Sequence, residues 1–150
     1  ITYANAAIAA DAAGFVVLVS ENFLKNRMLK GIEVLDSATN GVLPEEAPLA
    51  PAGAMKKLLD QTEVRLSNLN FIELMEAYAA QAILCSRICD LDLDIVNIRG
   101  GALSRGHPIG ASGAILVVRL FNELIKTTGK FGMAAIAAAG GIGSAIMLKS

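Results

Sequence analysis

At 150 residues the chain has the length of one ordinary domain, long enough to bury a continuous core. Apolar residues make up 54% and charged residues 18%, which excludes a disordered chain. A formal net charge of -1 with no basic block excludes a nucleic-acid binder that works by neutralising phosphates.

The chain opens Ile1-Thr2-Tyr3, without an initiator methionine or a charged leader, and reads as a piece of a longer protein with no visible signal peptide. Residues 1–13 are alanine-rich. From Gly14 to Ser20 the chain encloses Phe15-Val16-Val17-Leu18-Val19, a continuous apolar run that predicts a strand buried on both faces. Ser20-Glu21-Asn22 predicts a helix start, with a cationic end near Lys30 before Gly31. Ile32 to Leu35 is a second strand candidate. Asn40 to Pro51 carries Gly41, Pro44, Pro48 and Pro51 and reads as loop.

Ala52 to Leu59 is helical, with Lys56 and Lys57 towards solvent, and Leu69 to Leu74 is a short strand. Ala77 to Ile88 predicts a strongly apolar, buried helix, and Asp94 to Ile98 another short strand. Ser112 is placed to cap a helix from Gly113 to about Lys126, in which Leu116, Leu120 and Leu124 recur every four positions. Thr127 to Lys130 is a turn. The uncharged run from Phe131 to Leu148 approaches bilayer-spanning length, but Gly140, Gly141 and Gly143 divide it into two buried strands. Strands alternating with helices define an α/β layer architecture.

Cys85 and Cys89 lie one helical turn apart, where no undistorted disulfide forms. Zinc would need further ligands and the chain has a single histidine. Both thiols read as small buried hydrophobes of a reducing, cytoplasmic compartment.

The densest chemistry lies in Asn97-Ile98-Arg99-Gly100-Gly101-Ala102-Leu103-Ser104-Arg105-Gly106-His107-Pro108-Ile109-Gly110-Ala111-Ser112-Gly113. His107 titrates near neutral pH and sits between a residue that allows close backbone approach and one that fixes the exit direction. Gly101-x4-Gly106 has phosphate-loop spacing, but His107-Pro108 replaces the Lys-Ser/Thr pair that would handle phosphate and magnesium, so that reading is discarded. Ser112 near His107 has the residue types of a nucleophile and base, though capping is the simpler role for it. Glu73 and Glu76 bracket a strand-to-helix junction, where a structural role for Glu76 is the simpler reading.

Three segments in order give the chain a family resemblance. Asn97-x-x-Gly100-Gly101-Ala102-x-x-x-Gly106-His107-Pro108-x-Gly110-x-Ser112-Gly113 matches the histidine motif of the thiolases, acetyl-CoA acetyltransferase-type enzymes, almost throughout. Glu73-Leu74-Met75-Glu76-Ala77-Tyr78-Ala79-Ala80-Gln81 resembles their Asn-Glu-Ala-Phe-Ala segment, and Ala137-Ala138-Ala139-Gly140-Gly141-Ile142-Gly143 resembles their closing Cys-x-Gly-Gly-Gly-x-Gly. Thr2 to Ala13 also resembles the start of the family's C-terminal domain.

The resemblance implies that residues 1–150 form a thiolase C-terminal domain, one half of a duplicated α/β fold with a mixed sheet of about five strands layered with helices. It implies an acyltransferase that makes or cleaves 3-ketoacyl-CoA through an acyl-cysteine, the nucleophile coming from an N-terminal domain absent from this chain. Coenzyme A or acyl-CoA would be substrate, with no tightly bound cofactor. The expected partners are the N-terminal domain and further copies in a dimer or tetramer, with no nucleic acid and no membrane span. His107 matches the histidine that activates the cysteine, and Gly106 belongs to its loop. Ala77 and Tyr78 match positions near the thioester and pantetheine arm.

Other positions depart from the family pattern. Ala137 stands for the second cysteine, an acid/base, and Met75 for the Asn or His that positions a water in an oxyanion hole. A thioether is a weak acceptor, and losing one such donor typically costs about 10²–10³-fold in rate. Ala7 replaces a serine near the CoA arm, and Ala139 a glycine whose N–H serves a second oxyanion hole. Ala12 also replaces a glycine. These departures imply an alternative, a non-catalytic acyl-CoA-binding or scaffolding protein on the same fold.

Overall fold

The structure, a computed structural model, describes residues 1–127 and 129–150. Its elements run α1 (Glu21–Arg27), β1 (Glu33–Gly41), α2 (Ala50–Thr62), β2 (Leu69–Leu74), α3 (Ala79–Ile88), a single turn α4 (Ala102–Arg105), α5 (Ser112–Lys126), β3 (Phe131–Ala138) and β4 (Ile142–Lys149). The sheet has the order β1-β4-β3-β2. β4 is antiparallel to both β1 and β3, while β2 and β3 run parallel, so the sheet is mixed.

Both faces of the sheet are covered, which is why its central strands lack polar alternation. In β3, Met133 and Ala135 join Met147 and Ala145 of β4 beneath Met55 and Leu58 of α2. Ala134 and Leu148 face the other way, against Leu116, Leu120 and Leu124 of α5. The side chains of one strand thus alternate between two apolar layers. The four-residue spacing of the α5 leucines puts them on one stripe, and each is buried.

Helix α1 starts as its sequence predicts, with the Ser20 hydroxyl accepting the Phe23 N–H at 3.2 Å. Several expectations fail. Among the described residues the sheet has four strands, against the expected five or so. Phe15 to Val19 is neither strand nor buried: Phe15 is 87% and Leu18 77% exposed. Its sequence suits a sheet interior, but it pairs with none of the four strands. Asp94 to Ile98 is not a strand either. The Asp92 carboxylate caps a 3-10 turn at Leu93–Ile95, Val96 makes one bridge to Ile72, and Asn97 turns out of line at φ +48°.

The strand placed at 32–35 extends to Gly41, and the loop expected over 40–51 contains a 3-10 helix at Pro44–Leu49 and the start of α2. Pro44 and Pro51 stand in the first turns of these helices, while Pro48 lies within the 3-10 helix. The helix expected from Ala77 starts at Ala79. It is not fully buried, since Gln81, Cys85 and Ser86 face inward while Ile83, Leu84 and Ile88 remain exposed. The expected turn at 127–130 contains Thr128, which lies outside the described residues. No helix among the described residues is long and apolar enough to cross a membrane, and the run at 131–148 is the β3–β4 hairpin.

Candidate functional site

The loop carrying His107 is built from beneath by side chains of β2 and the segment after it. The Asn97 amide spans the end of β2, accepting the Leu74 N–H at 2.9 Å and donating to the Leu74 carbonyl at 2.9 Å. It also donates to Glu76 Oε1 at 2.6 Å, and the other Glu76 oxygen accepts the Leu103 N–H at 3.1 Å. This explains Gly101: a Cβ there would lie 2.0 Å from the Glu76 carboxylate. Glu76 is therefore a structural brace, acting at the first turn of α4, 27 residues away, rather than at the start of α3.

A second brace comes from α5. Arg119 holds buried Glu73 through Nε at 2.7 Å and Nη2 at 3.2 Å, and Nη2 also donates to the Gly100 carbonyl at 2.7 Å. Burial pushes the Glu73 carboxyl up, and the adjacent guanidinium only partly opposes it. Arg105 adds a guanidinium bond to the Arg99 carbonyl. Asn97 and Arg119 have no role in the sequence reading. A signal for Arg119 exists there: a cation in the middle of an apolar helix and one carboxylate inside the apolar strand Leu69–Leu74 are natural partners.

The histidine is tethered from the opposite side by the opening segment. The His107 N–H donates to the Ile8 carbonyl at 2.7 Å, and the Ala7 N–H donates to the Ala77 carbonyl at 2.9 Å. Ala6 forms a bridge with Tyr78. The segment at 5–9 thus joins the expected positions Ala7, Ala77 and Tyr78 to Gly106 and His107. Gly106 at φ +93° lies where L residues are strained, and a Cβ there would meet Ala10 at 2.7 Å.

Ser112 differs from its expected role. It is the first residue of α5, not its cap, and is 3% exposed. Its hydroxyl donates to the Pro108 carbonyl at 3.0 Å and lies 2.7 Å from His107 Nδ1. A buried hydroxyl so engaged is no nucleophile. Partial burial lowers the His107 pKa below its ordinary value, so the ring is neutral at neutral pH.

Behind the loop lies a cavity of about 200 Å³, walled by Ala10, Ala12, Met75, Gly106, Ser112 and Leu116 among others. Met75 is 4% exposed, with its N–H bonded to the Ala135 carbonyl at 2.9 Å. Ala137 pairs with Gly143 near the end of β3, and Ala139 lies beyond it in the turn; neither lines the cavity. Positive φ in that turn falls on Gly140 and Gly141, so Ala139 sits in backbone that accepts a Cβ.

Cys85 and Cys89 lie apart from this loop. Both are buried, with their thiols 3.5 Å from the Pro48 and Ala52 carbonyls, and burial pushes the Cys89 thiol up to about 11. Thiols held in this way are poor nucleophiles. No group of three or more acidic, His or Cys side chains among the described residues is placed to hold a metal.

A mixed sheet with helices on both faces, and one braced histidine loop at the head of α5, defines an α/β layered domain. Comparison with known proteins gives the family. Its sequence model, described as "Thiolase, C-terminal domain", matches residues 29–150, and the chain belongs to the thiolase family. The β-ketoadipyl-CoA thiolase of Acinetobacter baylyi is 38% identical over 99% of this chain and 38% of its own length. The putative acetyl-CoA C-acetyltransferase YhfS of Bacillus subtilis is 36% identical over 99% of the chain and 42% of its own length. Among solved structures, Acat5 thiolase of Ascaris suum in complex with coenzyme A superposes with a TM-score of 0.90 at 36% identity, covering all of this chain and 39% of that one. Human mitochondrial 3-ketoacyl-CoA thiolase gives 0.91 at 28% identity, covering all of this chain and 38% of that one. The chain thus spans about two fifths of the length of these relatives.

Proposed function

We propose that residues 1–150 act as the C-terminal domain of an acyl-CoA acyltransferase that makes or cleaves 3-ketoacyl-CoA, with His107 as general base. The observation that carries this reading is the braced loop. It holds a half-buried, neutral imidazole beside the segment that joins Ala7 to Ala77. A base needs its lone pair available at the working pH, and burial supplies that here.

The nucleophile in this reading is a cysteine of an N-terminal domain, because Cys85 and Cys89 are buried away from the loop. His107 takes the thiol proton, the thiolate attacks the acyl-CoA carbonyl, and coenzyme A leaves with a proton returned to its sulfur. In synthesis the acyl group then passes from the cysteine to the α-carbon of a second acetyl-CoA, which gives up its α-proton to a base. In cleavage the thiolate instead attacks the keto carbon of a 3-ketoacyl-CoA, acetyl-CoA leaves with a proton returned to its α-carbon, and the acyl group passes to coenzyme A. Coenzyme A is substrate and product, not a resident cofactor. The exposed apolar residues Phe15 to Val19 and Ile83, Leu84 and Ile88 support burial against that domain and against further copies in a dimer or tetramer.

A second reading rests on Met75 and Ala137. The thioether of Met75 faces the cavity where the family places a polar group, and Ala137 has no proton to transfer. In this reading the protein binds acyl-CoA without turning it over. The two separate on incubating the longer protein with an acyl-CoA: mass gain on a cysteine supports catalysis, while binding heat without acylation supports the second.

A further inference from the structure

We infer that Ser112 is a positioning residue that fixes which nitrogen of His107 carries the proton. It holds the ring as the Nδ1–H tautomer with the Nε2 lone pair free. The inference rests on the reading of His107 as base, since only a ring with an unprotonated, unengaged nitrogen accepts a proton.

The geometry decides the direction of the bond. Ser112 has one hydroxyl proton, and its oxygen lies 3.0 Å from the Pro108 carbonyl and 2.7 Å from His107 Nδ1. Two oxygens that close need a proton between them, and a serine in the first turn of a helix commonly donates to the carbonyl four residues back. The Pro108 carbonyl also accepts the Ala111 and Ser112 N–H groups, at 2.8 and 2.9 Å. With the hydroxyl proton spent there, the serine oxygen offers Nδ1 only lone pairs, and Nδ1 must donate. Among the described residues no hydrogen bond reaches Nε2. Because Pro108 and Ser112 are fixed by α5, the ring is aimed by the helix itself, and its unprotonated nitrogen points away from Ser112.

His107 is the only histidine of these 150 residues, and in long-range ¹⁵N–¹H correlation spectra of the histidine-labelled longer protein its ring signals are identified by their loss in His107→Gln. Above the imidazole titration, Nδ1 is expected at the position of a protonated nitrogen and Nε2 at that of an unprotonated one. Ser112→Ala should lower the Nδ1–H to Nε2–H ratio by roughly 2- to 13-fold, the range spanned by one net hydrogen bond. Ser112→Thr, which keeps the hydroxyl, should leave the ratio near its original value. If alanine does not preserve the fold by circular dichroism, Ser112→Cys repeats the test with a weaker acceptor. An Nε2–H ring in the unsubstituted protein, or a ratio unmoved by both variants, overturns the inference. Acyl transfer is not the readout, so an inactive protein with an Nδ1–H ring would sink the base reading and leave this one standing.

Discussion

The histidine loop and the β3–β4 turn hold their shapes by different means. Around the loop, Asn97 with Glu76, Arg119 with Glu73, and Ser112 with His107 form three separate groups of side-chain hydrogen bonds, so its shape is specified by residue identity. At the turn, Ala137 and Ala139 contribute backbone only, and two glycines supply the positive φ. A braced loop keeps its geometry only while each partner remains. A turn shaped by backbone keeps its fold whatever small side chain stands at 137.

The comparison can be broken where the braces are cut. The largest effect is expected from His107→Ala in the longer protein, a loss of about 10²–10⁴-fold in kcat with a 3-ketoacyl-CoA, the usual contribution of a general base. An unchanged kcat would remove His107 from the chemistry. Next in size is Arg119→Met, which leaves Glu73 buried and unpaired. Urea unfolding should show a loss of about 3–5 kcal/mol. Asn97→Ala orphans the buried Leu74 N–H and should cost about 1–3 kcal/mol in the same assay.

The pH response sharpens the same contrast. The His107 pKa is depressed by folding, so the unfolded chain binds the proton more readily. Stability from this group is full above the ordinary histidine value of about 6.5 and is lost as pH falls through the lower folded value. Acid unfolding of His107→Gln should lack that step. The smallest effect is expected at the turn. Ala137→Cys should leave stability within about 0.5 kcal/mol and raise any condensation rate only if the surrounding backbone is still catalytic. A gain would show that the turn lost one group and kept its geometry.

Much of this was legible in the sequence, because the relevant signals are local. The leucine spacing of α5, the run of β2 and the glycine break between β3 and β4 each specify an element without knowledge of distant residues. Phe15 to Val19 departs from its expected strand because composition reports what a segment is suited to pack against, and in this chain it pairs with no strand and stays exposed. Asp94 to Ile98 failed because one carboxylate, that of Asp92, closes a turn that apolar patterning does not register. At the site, the motif around His107 was visible, but its supports were not. Glu76 reaches Leu103 across 27 residues and Arg119 reaches Glu73 across 46. For Ser112 the cap and the bond back to Pro108 use the same residue at the same place, and only the three-dimensional path separates them.

The central claim, that His107 serves a cysteine lying outside these 150 residues, is tested most directly by mass spectrometry of the longer protein after brief exposure to an acyl-CoA. The account predicts one acylated cysteine, none at Cys85 or Cys89, and loss of the adduct in His107→Ala. Acylation at Cys85 or Cys89, or no acylated cysteine at all, would contradict it.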